Sequence, residues 1–521
     1  MKKITILLAL ALLVAMTLPA VAEVEEVTVG GSIQVRGQIQ TPVVGTQTGP
    51  VSGTFPVIGT ITNAHIIDTD GNGIPDLIFN NYSEPASFDD DIESLDWITQ
   101  RTRVNVDAKL SGNVRAFVEL QAFDFWGVDE VEDDEANAFL ENPILDDEVG
   151  FGEFAGQGND DVGLYQAYIE MNNIADFPLQ LRIGRQELVY GREWLLGNND
   201  AGVNFSGLSF DALKASYESD LIRGDAWAAK LVDLSNPSAF TGEEDADADF
   251  YGVYGTYKGI ENMAIDAYWM LVRNGDATLS SFDTDNVQTL HTVGARIAGA
   301  WDMMGLLPGT LDYNVEGAFQ FGDNNVADAG NDSGDFEGWA FNAMAGYTFT
   351  EGAWTPRVEG EYAFFSGDDD FLENDTEEFV RLFSDVHYGE LNLGGDLDQN
   401  ATNLHIIRVG ASAVPVEKLT LKGDLYWFLL AEDDDSGLAK TFGLPQFESA
   451  GTVLGQPLSA IGEDDEAGLE LDLIADYQYT EDLNLRAGWA HFFADDAIEN
   501  SWGAGQDDDV DYVYVQAALV F

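Results

Sequence analysis

The order of short and long turns constrains this sequence more than any other feature. From Val27 onward, runs of about ten residues alternate apolar and polar side chains, and the turns between them are alternately short and long. Short turns occur at 111–113, 172–177, 218–221, 258–262, 304–308, 350–353, 414–417 and 480–482. Each short turn joins two strands, so with one strand before the first hairpin and one after the last, we expect about 18 strands.

The remaining connections are long and acidic, and in this arrangement all of them lie on one side. They include 41–96, 124–161, 367–403, 432–466 and 495–508. An even number of alternating strands, with short turns on one side and long loops on the other, is typical of a transmembrane β-barrel. We therefore predict an all-β fold, a transmembrane antiparallel β-barrel formed by residues 23–521 as a single domain. A soluble β-sandwich would explain any one hairpin, but not the strict alternation.

Composition excludes several other classes of protein. The chain has 23 basic and 93 acidic residues and a formal charge of −70, which disfavours nucleic-acid binding because phosphate contacts need Lys and Arg. It contains no cysteine, so it has neither disulfides nor thiolate chemistry. After residue 22 no apolar stretch is long enough for a transmembrane helix. Two explanations of the high acidic content are adaptation to a saline habitat and outer loops that bind divalent counterions.

Both ends of the sequence predict export to an outer membrane. Residues 1–22 read as a signal peptide, with Lys2 and Lys3, an apolar run and a cleavage site after Ala22. The last residues alternate and end on Phe521, which resembles the C-terminal strand that the barrel-assembly machinery reads in bacterial outer-membrane proteins. We expect contacts with outer-membrane lipid and lipopolysaccharide; the oligomeric state is open.

Strand parity predicts which charged side chains face the lumen. Where one set of alternate positions is apolar and faces lipid, the other set faces inward. The basic residues placed inward are Arg36, Arg101, Arg103, Lys109, Arg115, Arg182, Arg296, Arg357, Arg408, Lys422 and Arg486. The acidic ones are Asp107, Glu119, Glu170, Asp266, Asp312, Glu316, Glu359, Glu361, Asp424, Glu470, Asp472 and Asp476.

The near balance of these charges leaves two interpretations. One is a water-filled channel in which opposed arginine and carboxylate clusters set up a transverse field that orients polar solutes. The other is a plugged or narrow barrel in which the charges neutralise one another. An 18-stranded barrel is too wide for side chains alone to fill, which favours the channel.

Residues 181–197 contain the motif Gly184-Arg185-Gln186-Glu187-Leu188-Val189-Tyr190-Gly191, followed by Leu196-Gly197. This segment, with Phe205 to Leu213 after it, resembles the alginate-export family of outer-membrane porins. The resemblance implies an 18-stranded barrel, and it implies that Arg185 and Arg192 line an arginine-rich constriction for an anionic polysaccharide. The balancing carboxylates depart from that pattern. A structural salt bridge between Arg185 and Glu187 is the alternative.

One loop has the spacing of a calcium site. Side-chain oxygens occur at Asp68, Asp70, Asn72 and Asp76, with the Ile74 carbonyl between them, similar to thrombospondin type 3 repeats. The alternative is a solvated acidic turn, and no cofactor is required in either case. The sequence carries no catalytic motif, so we do not expect an enzyme.

We thus predict a porin of mixed selectivity for polar or charged solutes, with oligo- or polysaccharides among the candidate solutes. Two alternatives remain: a dedicated exporter of an alginate-like anionic polysaccharide, and a structural or adhesive barrel that binds cations through its acidic loops.

Overall fold

The structure is a computed structural model of the chain. It describes residues 24–41, 64–67, 76–79, 95–126, 162–200, 205–232, 248–274, 287–303, 305, 308–327, 333–368, 375–391, 402–432, 452–453, 456–457, 465–495 and 509–521. The predicted signal peptide and most of the long acidic connections lie outside these residues.

Eighteen long strands carry the fold. They are β1 (Val24–Thr41), β2 (Leu95–Leu110), β3 (Val114–Phe125), β4 (Gly163–Met171), β5 (Leu179–Gln186), β6 (Phe210–Glu218), β7 (Ile222–Val232), β8 (Ala248–Ile260), β9 (Met263–Asn274), β10 (Gln288–Met303), β11 (Gly309–Ala327), β12 (Trp339–Phe349), β13 (Arg357–Phe365), β14 (Leu404–Val416), β15 (Leu419–Leu430), β16 (Glu466–Gln478), β17 (Leu483–Ala494) and β18 (Val510–Val520).

Each strand pairs antiparallel with its neighbours in the chain, and the sheet closes because β18 pairs with β1. At this seam the register runs from Ser32 opposite Val520 to Thr41 opposite Asp511. Gly31 and Phe521 also exchange two backbone hydrogen bonds, of 2.9 and 3.0 Å. The predicted all-β barrel of 18 strands is therefore confirmed.

The remaining elements are short and lie in the connections. A 3-10 helix, Ile174–Asp176, forms part of the turn between β4 and β5. Ser333–Phe336 pairs with the outer end of β11, Ala64–Ile67 with Asp76–Phe79, and Thr452–Val453 with Gln456–Pro457. All eight predicted short turns lie at one end of the barrel, which we call the periplasmic end, and the nine long connections leave the other, outer end.

The two faces of the barrel wall differ as strand parity predicts. On β2, Val104 and Val106 are exposed to the membrane side, whereas Arg101 and Arg103, at the opposite parity, are buried in the lumen. The apolar core does not lie under the wall but inside the barrel, where loop residues pack against inward-facing aromatic side chains. Within the described residues, no helix is long and apolar enough to cross a membrane.

Candidate functional site: the narrowed lumen

Two of the outer connections fold back into the barrel. We call them loop A, between β5 and β6 (residues 187–209, described at 187–200 and 205–209), and loop B, between β13 and β14 (residues 366–403, described at 366–368, 375–391 and 402–403). Their large side chains are almost completely buried, including Trp194 and Leu196 of loop A and Phe379 and Tyr388 of loop B. An outer loop exposed to water could not bury such residues, so both loops lie inside the wall.

The two loops are joined along their backbones. Gly197 N donates to Phe383 O at 2.7 Å, and Phe383 N donates to Leu195 O at 3.0 Å, which forms a parallel bridge. Asp385 N continues the pairing by donating to Glu193 O at 2.9 Å. Loops A and B therefore form one inward-folded unit rather than two independent flaps.

The familiar motif of loop A explains why it turns inward. Tyr190 stacks between Trp227 and Tyr254 of the inner wall, with ring centroids 4.9 and 4.7 Å apart. Gly191 has a φ of 61°, and a Cβ there would lie only 3.0 Å from the Tyr254 hydroxyl. Tyr190 thus anchors the turn to the inner wall, and Gly191 permits the positive φ and the close approach to Tyr254 that the turn requires.

Side chains of the wall hold the unit at several points around the barrel. On β11, Gln320 exchanges hydrogen bonds of 2.7 and 2.8 Å with the Val380 backbone. On β16, Glu470 accepts the backbone N–H groups of Glu390 and Leu391 at 2.8 and 2.9 Å. These contacts, with those of β2 and β13 described below, fix the unit across the lumen rather than against one wall.

Arg408 on β14 is the centre of the largest ionic network. It lies 3.1 Å from Glu361, 2.7 Å from Asp424, and in direct contact with Glu359. Arg192 of loop A approaches the same Glu361 at 2.7 Å, so it ties loop A to this network. One side of the lumen therefore carries carboxylates that are nearly all paired.

A second cluster, which we call the arginine trio, consists of Arg36 on β1 and Arg101 and Arg103 on β2. Asp200 of loop A lies 2.6 Å from Arg101 and 2.8 Å from Arg103. Arg36 stacks on the Tyr514 ring at 4.5 Å, and its Nη1 has no hydrogen-bond partner among the described residues. This part of the lumen is the least neutralised positive region that the structure describes.

Elsewhere the inward charges pair across neighbouring strands. Representative pairs are Arg115 with Asp107 at 2.8 Å, Arg182 with Glu170 at 2.8 Å, Arg296 with Asp266 at 2.5 Å, Arg357 with Asp312 at 2.5 Å, and Arg486 with Asp476 at 3.0 Å. Glu119 accepts from Gln166 at 3.0 Å, and Glu470 and Asp472 are neighbouring buried carboxyl groups on the inner face of β16. The opposed clusters expected from the sequence are thus replaced by locally paired charges.

Carboxyl groups meet where the two loops join. Burial, followed by the nearby Asp385, raises the pKa of Glu193 to about 7. Asp385 Oδ2 also accepts from the Asp200 backbone at 3.0 Å, and its Oδ1 lies 3.2 Å from His387. Burial likewise raises the pKa of Glu187, which accepts from the Tyr165 hydroxyl at 2.6 Å. The junction between the loops therefore favours the protonated form of Glu193.

The structure corrects the placement of Arg185. It lies on the membrane-facing side, next to exposed Ile183, and pairs with Asp211 at 2.8 Å. It neither lines the lumen nor bridges to Glu187, because successive residues of a strand point to opposite faces and the inward position is taken by Gln186. Arg192, by contrast, is in the lumen as expected.

Several lumen residues are missing from the sequence-based set. Lys214, Arg223 and Asp225 face inward on β6 and β7, and the parity of these strands would have identified them. Asp200 and Tyr388 come from loops without periodicity, and no sequence signal marks them.

The calcium-type loop falls outside the described residues, apart from Asp76, which begins a short strand. Calcium binding by Asp68, Asp70, Asn72, Ile74 and Asp76 stays a prediction. In the part of the chain that the structure describes, no group of three or more His, Asp or Glu is arranged to hold a metal ion.

Comparison with known proteins agrees with this architecture. A family model described as alginate export matches residues 88–510. Solved structures of similar fold include Pseudomonas aeruginosa OccD3 (OpdP), at 12% identity and a TM-score of 0.50 over 96% of this chain and 93% of that one. They also include OccK11 (OpdR) of the same organism, at 11% identity and 0.49 over 95% and 96%. The likeness to OccD3 concerns the fold alone. No protein of curated function matches.

Proposed function

The chain belongs to the alginate export family of outer-membrane barrels, and from this premise we propose that it is a narrowed porin of mixed selectivity for small polar or charged solutes. The observation that carries the proposal is the joined unit of loops A and B, which occupies the lumen at the level where a wide polymer would have to pass. An 18-stranded wall is wide enough for water to remain beside such a unit.

The charge pattern supports mixed selectivity. A conduit for a polyuronate needs cationic side chains that are free to meet carboxylates, yet most lumen arginines are already paired with Asp or Glu. The arginine trio is the least neutralised group of arginines among the described residues, because Arg101 and Arg103 share one carboxylate, Asp200, and the Nη1 group of Arg36 has no hydrogen-bond partner there. Solutes that carry both a negative group and hydroxyl groups would suit this lining.

Planar-bilayer recording of the full barrel tests the proposal. We expect stable ohmic steps, a reversal potential close to zero under a salt gradient, and liposome swelling with small sugars that stops sharply as sugar size increases. A barrel that does not conduct would contradict a porin and support the structural or adhesive alternative. Strong anion selectivity, together with block by a soluble polyuronate, would instead support a dedicated exporter.

A further inference from the structure

The membrane-facing side of the wall carries very few cations, and those few are grouped. Among the strands that the structure describes, parity and burial place every Lys and Arg of the transmembrane wall on the lumen side or at the periplasmic rim, except for three. These three are Arg185 on β5, Lys230 on β7 and Arg273 on β9. Each is separated from the next by one intervening strand.

Backbone register puts these cations in one row with two carboxylates. Arg185 pairs with Asp211, Asp211 with Lys230, Lys230 with Asp249, and Asp249 with Arg273. Five adjacent strands therefore present the sequence plus, minus, plus, minus, plus along one line of the backbone ladder. We call these five residues the outer charge row.

Ion pairs join the members of the outer charge row, and part of its surface remains exposed. Arg185 lies 2.8 Å from Asp211, Lys230 lies 2.8 Å from Asp249, and Arg273 lies 3.9 Å from the same carboxylate. The Lys230 side chain keeps 39% of its surface exposed. Within the row, three cations alternate with two carboxylates.

The height of the row is fixed by its position on the strands. Every member lies within three residues of the outer end of its strand, and Ile183 and Leu213 directly below it are 47% and 48% exposed. Lys230 lies eight residues from Ile222 at the periplasmic end of β7. At about 3.3 Å per residue and a tilt of about 40°, this is a rise of about 20 Å, close to the top of the apolar band.

Charged side chains on the lipid-facing side are unfavourable in the hydrocarbon core and cost little at the height of the lipid headgroups. We propose that the outer charge row is a binding surface for the phosphate groups of lipopolysaccharide in the outer leaflet. Arg185 donates its Nε and Nη2 groups to Asp211 and its Nη1 group to the Leu164 carbonyl, which leaves two of its five N–H donors for phosphate oxygens. Arg273 and Lys230 add two further cationic groups to the same row. The two carboxylates space the cations along the row.

The test compares lipopolysaccharide bound to the full barrel purified in detergent. The triple variant Arg185→Gln, Lys230→Gln, Arg273→Gln is expected to retain at most a tenth of the lipid that the unaltered protein retains. The matched control is Lys258→Gln at the periplasmic rim. Lys258 also lies 2.8 Å from a carboxylate, Glu218, and its side chain is 35% exposed. This control is expected to retain the full amount.

A second arm tests the chemistry of the lipid. The unaltered barrel is offered lipid A vesicles with and without phosphate groups, and is expected to bind only the phosphorylated form. Unchanged lipid retention by the triple variant would overturn the proposal, as would equal loss in Lys258→Gln. Equal binding of dephosphorylated lipid A, or equal dependence on the three cations for phospholipid vesicles, would also overturn it. Unaltered conductance of the variants shows that the barrels are folded.

Discussion

The indole Nε1 of Trp194 donates a hydrogen bond to the Tyr388 hydroxyl at 3.2 Å, and both residues are buried inside the barrel. Trp194 belongs to loop A and Tyr388 to loop B, so this contact joins two segments that are nearly 200 residues apart in the chain (388 − 194 = 194). The obstruction in the lumen depends on the packing of the two loops against each other as much as on either loop alone.

Trp194→Ala should therefore widen the pathway. Removing a buried tryptophan costs about 3–5 kcal/mol, and here the loss falls on the packing between the loops rather than on the backbone ladder of the wall. We expect higher single-channel conductance, more current noise and swelling with larger sugars. Tyr388→Phe, which removes only the hydroxyl, is the control and should change conductance little. Equal conductance in Trp194→Ala and the unaltered protein would contradict a role for the loops in narrowing the lumen.

Acid should tighten the junction between the loops. Because the pKa of Glu193 is raised to about 7 when the junction is closed, the closed form binds a proton that the open form, with an ordinary carboxyl, releases above pH 4.5. The closed junction therefore becomes less stable as pH rises from about 4.5 to about 7. Over this range the ratio of closed to open junctions falls by at most tenfold per pH unit. Above that range the ratio levels off.

Glu193→Gln tests this pH dependence directly. A glutamine is neutral at every pH, so the variant should show closing events whose frequency varies much less between pH 5 and pH 8. The facing groups Asp200, Asp385 and His387 remain in place as an internal control. A steep pH dependence that survives the substitution would assign the effect to one of those groups instead.

Arg408→Gln should shift selectivity toward cations. Arg408 is the shared partner of Glu359, Glu361 and Asp424, and removing one member of a buried ionic network costs about 3–5 kcal/mol because the remaining charges lose their compensation. The reversal potential under a salt gradient measures the shift. Arg486→Gln, which removes an arginine paired with Asp476 and more exposed than Arg408, should give a smaller change in both selectivity and thermal stability.

Asp200→Asn should have the opposite effect. This substitution removes the carboxylate nearest to Arg101 and Arg103 and leaves Glu187, 4.0 Å from Arg103, as the remaining counter-charge of the arginine trio. We expect a reversal potential shifted toward anion selectivity and tighter block by anionic sugars. A shift of the same sign in Asp200→Asn and Arg408→Gln would show that lumen charge does not set selectivity.

The strands of the barrel wall can be predicted because the sequence patterns that define them, alternation and short turns, lie within a few neighbouring residues. Alternation with a period of two predicts which side chains face lipid, and the short turns count the strands, so parity alone assigns Arg101, Glu361 and Asp424 to the inner face, where they are buried. The lumen position of Arg185 is implied only by family likeness, whereas parity from exposed Ile183 puts Arg185 on the outer face, where the structure has it. Asp200 and Trp194 could not be found, since the course of a long loop depends on contacts with strands far away in the sequence.

The seam between β1 and β18 has a consequence for how the protein reaches this state. Gly31 and Phe521 are 490 positions apart in the chain (521 − 31 = 490), and the ladder between their strands is the contact of greatest sequence separation in the wall. Contacts of this kind form slowly because a long stretch of chain must be ordered first. Because loops A and B pack inside this ring, closing the seam also encloses the loops that narrow the pathway.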